Sequence, residues 1–250
     1  MKLPDFSPGS KILFVVLNWG LGHATRSIPI IRELENAGHK LVLASDGLAL
    51  ELLQKEFPDK SIIGLPAYNI KYGTTLSDIV WGNFFNILNA IIKEQLFMRK
   101  YIKANDVDII ISDSRFGCFH RKKIAYIISH QLNLQSSNKL LGFFINKVNR
   151  FFLSRYDEVW IPDEEDHLLS GVLSKSPKIK KQRFIGLLSR LEKMNLKKVY
   201  DLTVILSGPE PARSRLEKKL VDLLTSSDKK IALVRGTSTV STINYPDQFT

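Results

Sequence analysis

Cysteine is nearly absent from this sequence, in which Cys118 is the single one among 250 residues. One cysteine excludes an intrachain disulfide and leaves no cysteine cluster with metal-ligand spacing, a pattern typical of a reducing compartment. We expect Cys118 to be a small core residue. We expect neither a bound metal nor an organic cofactor.

Long apolar runs are absent as well. The first one, residues 12–17, is too short for the core of a signal peptide or for a membrane-spanning helix, and the residues before it are polar and contain proline. These absences predict a cytoplasmic protein. With 44% hydrophobic and 24% charged residues, the chain has the composition of an ordinary globular protein.

Acidic residues are scarce towards the end of the chain. The net charge is +11, and residues 175–250 hold 16 basic but only 7 acidic side chains. Two interpretations remain open: a lysine-rich solvated surface, or a site for an anionic partner such as a nucleotide diphosphate or an anionic membrane. We do not expect nucleic acid as a partner, because no recognised motif or aromatic stacking platform accompanies the charge.

What the sequence does contain is a regular alternation of strand and helix patterns. Such alternation predicts crossover connections and a parallel sheet. The predicted strands of the first part are 11–17, 40–45, 61–65, 107–112, 123–129, 157–162 and 182–186. The predicted helices between them are 24–37, 48–57, 76–104 and 138–154.

A second alternating segment begins after a polar connector. It contains a strand at 201–207, a helix at 213–224 and a strand at 229–234, which are too few elements for an independent sheet. The predicted fold class is therefore α/β, with a Rossmann-like parallel-sheet domain at 1–188. A linker and the start of a second Rossmann-like domain follow at 189–250.

The turn after the first strand carries the most specific chemistry. Gly20 and Gly22 allow close approach of backbone to a ligand at a helix N-terminus, where free N–H groups favour phosphate or a developing oxyanion. A dinucleotide fingerprint would need a third glycine where Thr25 stands. His23, on the first helical turn, is placed to act as a general base near neutral pH. Its alternative role is local capping or packing.

The heptapeptide Gly20-Leu-Gly-His-Ala-Thr-Arg26, with its Ile/Leu-rich helix and Ala37-Gly38-His39, resembles the opening of GT-B glycosyltransferases. It is similar in particular to the group around the N-acetylglucosamine transferase of lipid II synthesis. The resemblance implies metal-independent, inverting transfer from a nucleotide sugar, expected to be UDP-linked, to the hydroxyl of a glycan or lipid-linked acceptor. His23 would be the catalytic base.

Two other functions stay open. The same opening resembles a nucleotide-sugar hydrolase of pseudaminic acid biosynthesis, in which that histidine activates water. The second domain also looks truncated at residue 250, so the chain could be a non-catalytic acceptor-binding fragment or subunit.

The resemblance divides the candidate site residues between the two domains. The acceptor-binding candidates lie at the first turn and at the ends of two further strands: Asn18, Gly20, Gly22, Arg26, Asp113, His130 and Gln131. Gln131 stands where the related loop has an acidic residue, and Asp113 could equally be a cap. The donor-binding candidates follow the two strands of the second domain: Ser207, Gly208, Glu210, Arg235, Gly236 and Thr237.

The segment 139–153 predicts an amphipathic helix with two possible roles. Its large apolar residues and its cations Lys139, Lys147 and Arg150 are typical of an interfacial helix on an anionic membrane. A helix covering the sheet has a similar pattern. We favour core packing, in which four phenylalanines are shared between core and surface: Phe143, Phe144, Phe151 and Phe152. The membrane alternative would make the protein peripheral at the inner face of the membrane.

Overall fold

A computed structural model describes residues 2–68, 76–176, 178–191, 193–208, 211–235 and 243–250, without the side chains of 76–82 and 84. By their internal contacts the residues form two compact units, Met1–Glu192 and Lys193–Thr250.

The first unit is built on a seven-stranded sheet in which each neighbouring pair of strands is parallel. Its order is β3-β2-β1-β4-β5-β6-β7. The strands are β1 (Lys11–Val16), β2 (Lys40–Ser45), β3 (Ser61–Gly64), β4 (Ile109–Asp113), β5 (Ile124–Ile128), β6 (Glu158–Ile161) and β7 (Gln182–Phe184). The predicted α/β parallel sheet is thereby confirmed.

Among the described residues, four α-helices lie between these strands: α1 (Leu21–Asn36), α2 (Gly47–Glu56), α3 (Leu76–Ala104) and α4 (Lys139–Leu153). A short 3₁₀ helix, Gly171–Leu173, lies between β6 and β7. The order of the strands reverses at β1, which pairs with β2 on one side and with β4 on the other. Ligands of open α/β sheets bind at such a switch point, outside the carboxyl ends of the strands. The turn containing His23 follows β1 at this point.

The core covers both faces of the sheet, as the continuous apolar run of β1 requires. Phe14 packs with α1 on one face, where Ile28 and Ile31 are also fully buried. Val15 points to the other face and packs in a cluster with Met98 of α3. Burial of each such side chain stabilises the fold by about 1.5–3 kcal/mol. Cys118 is a buried free thiol of the second cluster, as expected.

The second unit contains β8 (Leu202–Ile205), α5 (Ala212–Leu224) and β9 (Ile231–Val234). β8 and β9 are parallel neighbours. This β-α-β arrangement is the predicted start of a second Rossmann-like unit.

Helix α4 agrees only in part with the preference for core packing. Its buried residues are Asn146, Asn149 and Leu153, whereas Phe143, Phe144 and Phe151 are each more than half exposed. Of the four phenylalanines, only Phe152 is directed inwards, where it contacts Phe116 at a ring distance of 5.6 Å. A helical period identifies an apolar stripe but does not say which neighbour the stripe faces, and here Asn146 and Asn149 face the protein together with Phe152 and Leu153. Among the described residues, no helix is long and apolar enough to cross a membrane.

Candidate active site

The candidate site lies where β1 and β4 end side by side. Val16 of β1 is the register partner of Asp113, the last residue of β4. His23 stands in the first turn of α1, whose preceding residue, Gly20, has a positive φ of 74°. Glycine adopts this conformation at no steric cost, so the chain can turn sharply from strand to helix. The turn brings the His23 side chain over the end of β4.

Asp113 is the centre of a buried network. Its Oδ1 atom contacts His23 Nδ1 at 2.9 Å and the Arg26 guanidinium, and its Oδ2 atom accepts from Arg26 Nε at 2.8 Å and from Ser27 Oγ at 3.0 Å. Burial by itself would raise the pKa of this carboxyl, but the positive charge of Arg26, with that of His23 when its ring is protonated, holds the pKa well below its ordinary value. Asp113 is therefore a fixed negative charge at neutral pH.

The contacts of His23 Nδ1 decide which ring nitrogen is free. This atom lies 2.9 Å from Asp113 Oδ1 and 2.9 Å from Arg26 Nη2. Arg26 already bonds to both carboxylate oxygens, whereas an unprotonated Nδ1 would set its lone pair against a carboxylate. We therefore assign the proton to Nδ1, donating to Asp113. The neutral ring then keeps the lone pair of Nε2 free to accept a proton.

His130 is held behind this pair. Its Nδ1 atom lies 3.0 Å from Arg26 Nη1, and burial followed by the positive charge of Arg26 lowers the pKa of His130. The ring is therefore neutral at pH 7 and accepts from Arg26. Ser114, at a positive φ of 59°, donates to the carbonyl of Ile128 at 3.1 Å.

Six of the seven predicted acceptor residues fall into three groups. Gln131 lines the pocket beside His23, and a Cβ added at Gly20 or Gly22 would meet nothing within 4 Å, so the backbone there is open. Arg26 and His130 belong to the buried network around Asp113. The prediction of direct acceptor contact is wrong for Asp113, because its side chain is 0% exposed and all its bonds are internal.

Asn18 belongs to a second buried network, which the sequence analysis missed. Asn18 Nδ2 donates to Asp46 at 3.2 Å, and Asp46 Oδ1 pairs with Arg115 at 3.0 Å. Arg115 Nε in turn pairs with Glu94 Oε1 at 2.6 Å, and Tyr68 donates to the other Glu94 oxygen at 3.0 Å. Burial raises the pKa of Glu94 despite the opposing charge of Arg115. The amide of Asn18 therefore holds the turn rather than pointing into the pocket.

Arg115→Met should lower the free energy of unfolding by about 3–5 kcal/mol, because it leaves Glu94 and Asp46 buried without their cation. Urea unfolding at pH 7 measures this change. Arg121→Met is the matched control, since Arg121 is exposed, and it should cost less than about 0.5 kcal/mol. Equal losses in the two variants would contradict a structural role for the network.

A pocket of about 360 Å³ opens beside His23. Its polar lining includes Ser129 and Gln131, whereas most of its exposed wall is apolar. A smaller cavity of about 140 Å³ adjoins it and shares four of its lining residues: Ile87, Phe116, Leu134 and Asn149. Together they form an apolar groove that runs between α3 and α4 and ends at His23.

The donor candidates that the structure describes lie at one sheet edge of the second unit. Ser207 and Gly208 follow β8, and Arg235 follows β9. The strands are parallel, and Leu206 N donates to Val234 O at 2.8 Å, so both ends meet at the same edge. Arg235 is ion-paired with Glu217 at 2.6 Å. The other candidates, Glu210, Gly236 and Thr237, lie outside the described residues. No group of three or more potential metal-ligating side chains occurs in the described part of the chain.

The fold and this site define a class: a two-unit α/β protein of GT-B type, with a histidine–aspartate pair at the switch point of its first sheet. The chain belongs to glycosyl transferase family 1, which matches residues 10–135. It is 30% identical over 173 residues to an uncharacterized glycosyltransferase of Methanosarcina acetivorans, covering 61% of this chain and 42% of that relative. An uncharacterized glycosyltransferase of Methanosarcina mazei is 27% identical, covering 61% of this chain and 43% of that relative. The matches thus span about two fifths of these relatives' length.

Solved structures share the fold. The calicheamicin glycosyltransferase is similar with a TM-score of 0.65 at 10% identity, covering 96% of this chain and 70% of that one. The glycotransferase of kitacinnamycin gives a TM-score of 0.63 at 14% identity, with 98% of this chain and 70% of that one covered. A spinosyn rhamnosyltransferase, solved with thymidine diphosphate, gives a TM-score of 0.58 at 12% identity, with 96% of this chain and 70% of that one covered. At these identities the likeness concerns the fold alone.

Proposed function

We propose that the protein transfers a sugar from a nucleotide-sugar donor to an acceptor hydroxyl, with His23 as the general base. The observation that carries this proposal is the His23–Asp113 contact of 2.9 Å at the mouth of an apolar pocket. Family membership supports the reaction class.

In the proposed reaction the acceptor binds with its hydroxyl facing Nε2 of His23. Nε2 takes the proton while the acceptor oxygen forms a bond to the anomeric carbon, and the bond from that carbon to the nucleotide diphosphate breaks. Attack opposite to the leaving group inverts the anomeric configuration. The imidazolium formed is stabilised by the charge of Asp113, which acts as a positioning residue because it touches His23 and not the substrate.

The donor half of the proposal rests on the second unit. We propose that Ser207, Gly208 and Arg235, at the edge of β8 and β9, bind the nucleotide sugar, and that Glu210, Gly236 and Thr237 take part in this binding. Backbone N–H groups and a cation suit a diphosphate without a metal ion. The spinosyn enzyme's thymidine diphosphate supports a nucleoside diphosphate as leaving group; we propose that the base here is uridine.

The acceptor half follows from the groove. An apolar groove that ends at a base suits an amphiphilic acceptor, whose hydroxyl lies at His23 and whose apolar part lies between α3 and α4. This favours a lipid-linked acceptor over a free glycan. The narrower similarity to the lipid II N-acetylglucosamine transferases and a cytoplasmic location at the inner face of a membrane stay predictions.

One experiment separates the three functions. The chain is incubated with radiolabelled UDP-sugars and TDP-sugars, with and without octyl glucoside as an amphiphilic acceptor. We expect labelled octyl product only when the acceptor is present. Sugar released at the same rate without acceptor would instead support the hydrolase. Neither product nor release with any donor would contradict the transferase and favour a binding fragment.

A further inference from the structure

Helix α4 holds two asparagines against the protein, Asn146 and Asn149. Asn146 accepts from the backbone N–H of Leu134 at 2.8 Å and donates to the carbonyls of Leu134 and Gly142 at 2.8 and 2.9 Å. Asn149 donates to the carbonyl of Gln131 at 2.7 Å. Three of these bonds join α4 to the segment 131–134, and together with the burial of Leu153 they fix which side of α4 faces outwards.

The outward side of α4 carries large apolar side chains. Its five large residues are 46–74% exposed: Leu140, Phe143, Phe144, Val148 and Phe151. Helix α3 continues this surface, because its exposed Leu88 lines the same cavity as Val148. A contiguous apolar surface of this kind marks an interaction site, since leaving it in water forgoes about 25 cal/mol for each Å² that could be buried.

We call these five exposed apolar side chains the α4 stripe. Cations border the stripe on both sides of Phe151. A cavity of about 550 Å³ next to it is lined by five of them: Lys147, Arg150, Lys178, Lys180 and Lys181. None of these five forms an ion pair with an acidic side chain of the described residues. On the other side a cavity of about 400 Å³ is lined by Arg99, Arg121, Lys122 and Arg155. The surface is therefore complementary to a partner that is apolar inside and negatively charged outside.

We infer that this surface, the α4 stripe with its bordering cations, docks on an anionic phospholipid membrane. The phenylalanines enter the acyl boundary while the cations contact the lipid phosphates. A membrane satisfies both parts of this surface at once, because acyl chains would cover the apolar side chains while lipid phosphates would neutralise the cations around them. Docking stands apart from the proposed function. If both hold, the α3–α4 groove opens at the lipid surface, and a lipid-linked acceptor reaches His23 from there.

The test is co-sedimentation of the whole chain with sucrose-loaded vesicles, measured without donor or acceptor, so its outcome is distinguishable from a failure of the transferase proposal. Binding should rise with the phosphatidylglycerol content of phosphatidylcholine vesicles and fall with salt. Lys178→Gln/Lys180→Gln/Lys181→Gln should weaken binding about 100-fold. Phe143→Ser/Phe144→Ser should weaken it at least about 10-fold. All five side chains are exposed, so circular dichroism should confirm that the variants fold.

The matched control is Lys218→Gln/Lys219→Gln/Lys229→Gln, which removes the same charge from exposed lysines of the other unit. We expect it to retain binding within about twofold. An equal loss in the control would overturn the inference, because the attraction would then follow from net charge alone. Equal binding to neutral and anionic vesicles would also overturn it, as would binding to a polyglutamate peptide without binding to vesicles.

Discussion

His23→Ala should lower the rate of sugar transfer about 10²–10⁴-fold, the range for loss of a general base. The side chain is 18% exposed and stands at a helix start, so its removal leaves the core untouched. Asp113 keeps its bonds to Arg26 and Ser27 in the variant. The measurement is initial velocity with radiolabelled donor and octyl glucoside, alongside thermal unfolding to show that the fold is retained.

His120→Ala is the matched control for this change. His120 lines a different cavity from His23, so this variant should keep wild-type velocity. A His23→Ala protein with undiminished transfer would refute the assignment of the base. If the variant instead lost an acceptor-free release of sugar, the base would be the same and water would be the acceptor.

Asp113→Asn should lower the free energy of unfolding by about 3–5 kcal/mol at pH 7, because it leaves the Arg26 guanidinium without its buried counter-charge. The folded pKa of Asp113 is depressed, so its stabilising contribution is fully present above the unfolded value of about 3.9. The contribution is lost as the pH falls through the folded pKa. The difference in unfolding free energy between wild type and variant should therefore be large at pH 5 and shrink below about pH 4. A difference that does not change with pH would contradict the charged state.

The same variant tests the positioning role of Asp113. Loss of its charge should lower kcat while leaving the KM for octyl glucoside nearly unchanged, because the imidazolium loses its partner and the pocket keeps its shape. Ser27→Ala is the control: it removes one bond to Asp113 and should cost about 1 kcal/mol of stability without lowering kcat. Equal loss of kcat in both variants would reduce Asp113 to a structural residue.

Local patterns predicted the elements of the fold closely. The helix at 76–104 has the predicted bounds, and the first helix begins three residues before the predicted start. Such differences arise because helix ends depend on the turn before them, and the positive φ of Gly20 lets α1 start directly after it.

The buried networks were beyond prediction. Glu94 and Arg115 are 21 residues apart and meet only because α3 packs across the end of β4. The sequence around Asp113 does not distinguish a carboxylate that binds the acceptor from one that is buried. That difference depends on neighbours 86–90 residues away in the chain. One signal in the sequence could have revealed the second network: Glu94 is a charged residue at a helix position of the buried type.

By itself the sequence determined the parallel α/β architecture and the placement of His23 at the first strand end, because both follow from local periodicity and from a glycine turn. The tertiary structure alone decided what surrounds that histidine. It buried Asp113 against Arg26, directed the asparagines of α4 inwards and its phenylalanines outwards, and brought Lys178, Lys180 and Lys181 beside them. Packing between distant segments sets these arrangements, and a one-dimensional pattern does not specify which faces will meet.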